Sequence, residues 1–141
     1  MSNFDEKTVE RIKKLEREVE RLRVKESPGA WQSWTPTVTW IGTAPTTTTV
    51  NSARYCKVGK LVAFNVYLTI TRGSGTSSNA TITPPVAIGS AGVAIGRTTL
   101  HGGLEAVVCY ILSSSNNISP QLITSMSSDG YMVIAGHYEA A

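Results

Sequence analysis

The chain has 141 residues, a formal net charge of +3 and a pI near 9.0, with 16% charged side chains. That is room for one domain and an appendage, and no apolar run reaches the roughly 18 residues that a membrane span needs. Nor does the basic balance mark a nucleic-acid binder. Roughly two thirds of the charged side chains lie before Pro28 with their signs interleaved, and the rest of the chain carries about eight, too few for a phosphate-binding patch. The start of the chain lacks the charged-then-apolar pattern and small-residue cleavage site of a secretory leader, so no signal peptide is expected.

The first element is NFDEKTVERIKKLEREVERLRVKE. Its apolar residues Ile12, Leu15, Val19 and Leu22 are spaced three, four, three, the a and d positions of a coiled coil. With Ile12 at a, Arg11 and Glu18 take g positions and Glu16 and Arg23 take e positions. Parallel helices bring g of one chain beside the following e of its neighbour, so Arg11 meets Glu16 and Glu18 meets Arg23. A parallel, in-register homo-oligomer thus satisfies its own charges. Strand number draws two opposed arguments. β-branched residues at a with Leu at d favour a dimer. RIKKLE (11–16), however, resembles the Arg-apolar-x-x-apolar-Glu pattern of trimeric coiled coils, and a homotrimer is expected. SPG (27–29) ends the helix: Pro28 bars its predecessor from helix and Gly29 permits a sharp turn. The expected organisation is a coiled-coil helix over 1–27, a linker over 28–33 and a β-head over 34–141.

All three tryptophans follow, in WQSWTPTVTW (31–40). Trp34, Pro36, Val38 and Trp40 share one strand parity and the threonines share the other. Trp34 and Trp40 are therefore assigned to a buried face, core or subunit interface, and Trp31 to the junction of stalk and head. Pro36 suits an edge or bulged strand.

The remaining sequence is rich in Ser and Thr and has no helix-period stretch. Strands are expected near 34–40, 53–58, 61–71, 80–83, 93–100, 104–112, 118–126 and 131–139, with 46–50 open. Turns are marked by Val58-Gly59-Lys60, RGSGTSSN (72–79), Gly102-Gly103, SSSNN (113–117) and SSDG (127–130). Val62, Phe64, Val66, Leu68 and Ile70 alternate with mixed residues, giving one buried face. LEAVVCYIL (104–112) is apolar on both faces apart from Glu105, so its second face is either central in the head or set against another subunit. The expected fold is mainly β: an antiparallel, jelly-roll-like β-sandwich behind a short coiled-coil helix, in a parallel homotrimer.

No catalytic constellation emerges. Beyond the helix the only acids are Glu105, Asp129 and Glu139, and the only histidines His101 and His137, none beside a Ser or Cys motif. No enzyme activity, cofactor or metal site is assigned. His137 and Glu139 share a strand face, where a three-fold axis would allow a histidine ring around a metal, but a solvated or hydrogen-bonded His is the simpler reading. Cys56 and Cys109 lack metal-ligand spacing and read as small apolar residues in strands. GSAGVAIG (89–96) lacks the Lys of a phosphate loop and reads as turn and strand. If the head binds saccharide, Tyr131, Asp129, Asn116 and Asn117 on polar loops are the candidates.

The motifs W-x-x-W-T-P-T-V-T-W, R-Y-C-K-V-G-K-L-V-A-F-N-V-Y-L-T-I-T, T-I-T-P-P-V and G-H-Y-E stand in this order between Trp31 and Glu139. The arrangement resembles the C-terminal β-domains of tailed-phage minor tail, tail-fibre and receptor-binding proteins. That resemblance implies a trimeric virion protein of tail or capsid surface, made in the host cytoplasm. Its partners would be itself, other virion proteins and a host cell-surface polysaccharide, with no nucleic acid and no membrane insertion. The chain departs from a long fibre in having no extended shaft. A capsid decoration or head-fibre protein with a purely structural role is the alternative.

Overall fold

The computed structural model describes residues 5–25 and 29–141, and the side chains of 22–25 are not among those described. The chain divides into two compact units, Met1–Ala30 and Trp31–Ala141.

The first unit is helix α1 (Glu6–Lys25), 20 residues and about 30 Å long at 1.5 Å per residue. Asp5 caps it. Its carbonyl accepts from the N–H groups of Thr8 and Val9 at 2.9 and 3.2 Å, and its Oδ1 accepts from that of Lys7 at 3.1 Å. Those amides have no partner inside the helix, so the cap holds the first turn together. Pro28 lies outside the described residues; Gly29 has φ 80°, the left-handed conformation that glycine adopts without steric cost.

The second unit is a single antiparallel sheet of nine strands: β1 (Gln32–Ser33), β2 (Val38–Ile41), β3 (Thr47–Val58), β4 (Leu61–Thr71), β5 (Asn79–Ile82), β6 (Ile88–Thr98), β7 (Glu105–Leu112), β8 (Asn117–Gln121) and β9 (Gly130–Ala140). Their order across the sheet is β1-β3-β4-β9-β6-β7-β8-β5-β2. The expected mainly-β head is present. The sheet curls around one core, with Val62, Phe64, Val66, Leu68 and Ile70 of β4 all at most 2% exposed. Each such side chain stabilises the fold by about 1.5–3 kcal/mol through burial. Val107, Cys109 and Ile111 of β7, Ile118 of β8 and Met132, Ile134 and Tyr138 of β9 belong to the same core.

The tryptophan segment explains how the sheet curls. β1 lies at one end of the strand order and β2 at the other, yet only residues 34–37 separate them in the chain. One short segment therefore joins both edges. The expected strand over 34–40 is broken at Pro36, which is buried and lies between the two short strands; lacking an N–H, it cannot carry a ladder across the join. On one side the Trp34 N–H donates to the Ala53 carbonyl of β3 at 3.1 Å. On the other, the Thr83 N–H donates to the Thr37 carbonyl at 3.1 Å. The indoles complete the closure. Trp34 donates from Nε1 to the Thr83 carbonyl at 3.1 Å while its ring meets Phe64 and Tyr55 edge-on. Trp40 donates from Nε1 to the Thr48 hydroxyl of β3 at 2.8 Å. Both pack on the core of the head, as their parity requires. Trp31 is exposed, with the Arg54 guanidinium 5.9 Å from its ring centroid. The expected linker over 28–33 is correspondingly shorter, because Gln32 and Ser33 pair with Tyr55 and Arg54.

Elsewhere, boundaries shift for identifiable reasons. Residues 47–50 join 53–58 as one strand with an irregularity between Val50 and Ser52. The β3–β4 hairpin turns on Gly59-Lys60, with Gly59 at φ 59°, the Gly-first loop of a II′ turn. The Gly-rich run 89–96 is all strand, part of β6. It is Gly-rich because β6 lies close to β9: a Cβ on Gly92 would strike the His137 carbonyl oxygen, and one on Gly136 the Val93 carbonyl oxygen. The expected strand 118–126 ends at Gln121. Residues beyond it bond sideways instead, Leu122 N–H to the Ser78 carbonyl at 2.8 Å and Ser127 N–H to the Leu100 carbonyl at 2.8 Å.

Candidate functional site

Three places on the molecule bear on function: the helix seam, the two loop ends of the head, and the outer side of the sheet.

On α1, Ile12, Leu15 and Val19 are 47, 62 and 61% exposed. Val9, at the preceding e position, extends the same stripe toward the N-terminus and shares a shallow groove with Ile12, Lys13 and Glu16. Arg11, Glu16 and Glu18 flank the stripe, and Glu18 also pairs with Arg21 at 3.4 Å. The side chains of Leu22 and Arg23 lie outside the described residues. A helix of 20 residues with its apolar stripe exposed from Val9 to Val19 is unstable in water by itself, since an isolated helix of this length is marginal and most helical stability comes from packing.

The strand registers divide the saccharide candidates between opposite ends of the head. Ile70 faces Gly130 and Thr98 faces Glu105 at one end; Leu61 faces Glu139 and Leu112 faces Asn117 at the other. Asp129 and Tyr131 belong to the first end, Asn116 and Asn117 to the second, so the four make no common site. Two also serve the fold. Asp129 Oδ1 accepts from the Arg72 N–H at 2.7 Å. Asn116, at φ 52°, accepts through Oδ1 from the Ile88 N–H at 2.9 Å. Tyr131 meets Tyr67 edge-on at 6.1 Å. Around it three polar loops converge, because Arg72 Nε donates to the carbonyls of Gly75 at 3.0 Å and Met126 at 3.2 Å, and the Ser128 hydroxyl donates to the Thr99 carbonyl at 3.1 Å.

The same end holds a group that sequence reading passed over. His101, with its side chain 9% exposed, has Nδ1 2.5 Å from Glu105 Oε2. Its Nε2 lies 3.0 and 2.9 Å from the carbonyl oxygens of Thr124 and Ser125 and 3.0 Å from the Thr124 hydroxyl. Hydroxyl, imidazole and carboxylate stand in the order of a hydrolytic triad. The surroundings do not favour that use: the Thr124 hydroxyl shares Nε2 with two carbonyl oxygens, which can only accept. The arrangement is a clasp that ties the 99–105 loop to the 123–126 segment. Its sequence signal was the four-residue spacing of His101 and Glu105 across Gly102-Gly103, which becomes meaningful only when that turn folds.

His137 and Glu139 lie on the outer side of β9, beside a depression lined by Leu61, Ser90, Gly92 and Val93. The Ser90 hydroxyl donates to Glu139 Oε2 at 3.4 Å. No cluster of three or more potential metal ligands forms among the described residues. Both thiols are free; Cys109 is buried, and loss of solvation pushes its pKa up from 9.0 to about 12. No helix among the described residues is long and apolar enough to cross a membrane. In comparison with known proteins, no family model, curated protein or solved structure matches the chain.

Proposed function

We propose that the chain is a self-assembling component of a phage particle, a parallel homotrimer in which α1 forms a short coiled-coil stalk and the curled sheet, layered as a jelly-roll-like head, is carried on it. The observation that carries this reading is the apolar stripe of α1 left without a partner, flanked by charges that complement themselves in a parallel assembly. The ordered motifs between Trp31 and Glu139 supply the virion context. A structural role, as in a decoration or head-fibre protein, is the better supported of the two roles. The carboxylate of Asp129 and the amide of Asn116 are engaged in holding the fold, and the saccharide candidates are divided between opposite ends.

Adhesion to a host-surface glycan is the second reading. It rests on one place, the Tyr67–Tyr131 ring pair beside three convergent polar loops. Light scattering on the full chain tests the assembly: a mass of three protomers is expected, and a mass of one or two sinks it. Leu15→Asp should weaken assembly by placing an unpaired charge in the seam. Binding of the verified trimer to isolated host-wall polysaccharide, lost on Tyr131→Ala, would decide for adhesion. Labelled protein found on the capsid surface, with no polysaccharide binding, would decide for the structural role.

A further inference from the structure

The outer side of β6 and β7 carries an apolar face that the head does not cover. Val93 and Ile95 of β6 are 61 and 74% exposed, and Val108 and Tyr110 of β7 are 55 and 52% exposed. They form one surface. Ile95 stands directly opposite Val108 in the ladder, and Ala135 of β9 stands on the other side of Ile95. The ladder continues to Ala94 and Cys109; Val93 and Tyr110 come next along their strands, and Leu112 extends the β7 row toward the β7–β8 turn. Formal charge is confined to the margins of this face, at Arg97 and Glu139. Monomeric proteins rarely leave such a contiguous apolar surface in water without a binding use.

We propose that a second copy of this chain covers the face, so that the heads as well as the helices hold the oligomer. This rests on the coiled-coil reading above, and three observations select the occupant. The helix seam is self-complementary, so identical heads are the molecules held nearest, at effective concentrations on the order of millimolar for a short tether. The terminal strands are short, β1 of two residues and β2 of four, and the segment between them joins the two edges. The stretch of β3 that β1 leaves uncovered is rich in Thr, Asn and Ser, so the outer face of β6 and β7 is the apolar surface open to another head. Finally, the inner side of β7 is already filled by Val107, Cys109 and Ile111, so its apolar outer residues have no role in the head's own core.

The test uses the full-length chain. Hydroxyl-radical footprinting is carried out at protomer concentrations above and below the dissociation midpoint. Labelling of Ile95, Val108 and Tyr110 should fall severalfold on assembly, while exposed Ile41 of β2, which β8 and β5 separate from β7, keeps its rate. The variant Ile95→Asp/Val108→Asp changes only exposed positions. With its circular dichroism unchanged, it should dissociate at about thirtyfold higher concentration, the effect of losing a binding hot spot. Equal labelling in both states, with an unchanged midpoint for the variant, overturns the face and leaves the helix-borne oligomer standing. A wild-type chain that is monomeric at every concentration overturns both.

Discussion

Replacing Trp34 tests whether the segment 32–41 closes the head. The indole packs edge-on against Phe64, itself 2% exposed, and against Tyr55, and its N–H bonds the Thr83 carbonyl at 3.1 Å. Truncating a fully buried Trp costs about 3–5 kcal/mol. Trp34 is half-buried, so Trp34→Ala belongs at the low end, about 3 kcal/mol with the hydrogen bond included. Trp34→Phe keeps a ring and loses mainly the bond, about 1 kcal/mol. In a unit of this size the two changes correspond to roughly 10–20 °C and roughly 5 °C in Tm. Urea titration followed by circular dichroism, at one fixed protomer concentration because assembly adds to stability, measures both. Hydrogen exchange adds the sharper reading. Since one segment binds both edges, the amides of β1 and of β2 should lose protection together in Trp34→Ala. A cost below 1 kcal/mol, or loosening of one edge alone, would refute the closure.

Three further outcomes are expected. The Cys109 thiol stays protonated in the folded head up to about pH 12, against 9.0 when solvated. Its contribution to stability is therefore complete below pH 9 and is lost as pH rises from 9 toward 12, at up to about 1.4 kcal/mol per pH unit. Burial raises Tyr138 in the same direction. Alkaline urea titrations should show the decline, reduced in Cys109→Ala, and iodoacetamide should spare Cys109 in the native protein. Gly136→Ala puts a methyl against the Val93 carbonyl and should cost about 1–3 kcal/mol, read as a lower urea midpoint; an unchanged midpoint would show that β6 and β9 have room. His101→Leu leaves the Glu105 carboxylate and the Thr124 and Ser125 carbonyls without the ring. It should cost about 1–3 kcal/mol and speed proteolytic cleavage between residues 99 and 104.

Much of the architecture is written in short-range spacing. The three-four-three spacing of Ile12, Leu15, Val19 and Leu22 marks the helix and its stripe, because neighbouring turns place those residues together regardless of anything distant. Alternation in β4 does the same for its buried face, and Val58-Gly59-Lys60 marks a hairpin because the turn is made by its own residues. The double-apolar pattern of 104–112 also carried real information. It left open whether the second face lay inside the head or outside, and the curled sheet places Val108 and Tyr110 outside.

What spacing could not supply is every relation between residues far apart in the chain. The motif GSAGVAIG reads locally as turn and strand, and is strand throughout because it pairs with β9, which comes close enough to exclude a Cβ at Gly92. Asp129 and Asn116 look alike as polar loop residues, but the register of the strands sends them to opposite ends. His101 and Glu105 gain meaning from carbonyls more than twenty residues away. The tryptophans show the division most clearly: their parity announces a buried face, while their part in joining the two edges follows from where β3 and β5 lie. Periodicity is a property of neighbouring residues and survives in any fold. Closure of a sheet depends on contacts between distant segments, whose pairing the local pattern does not encode.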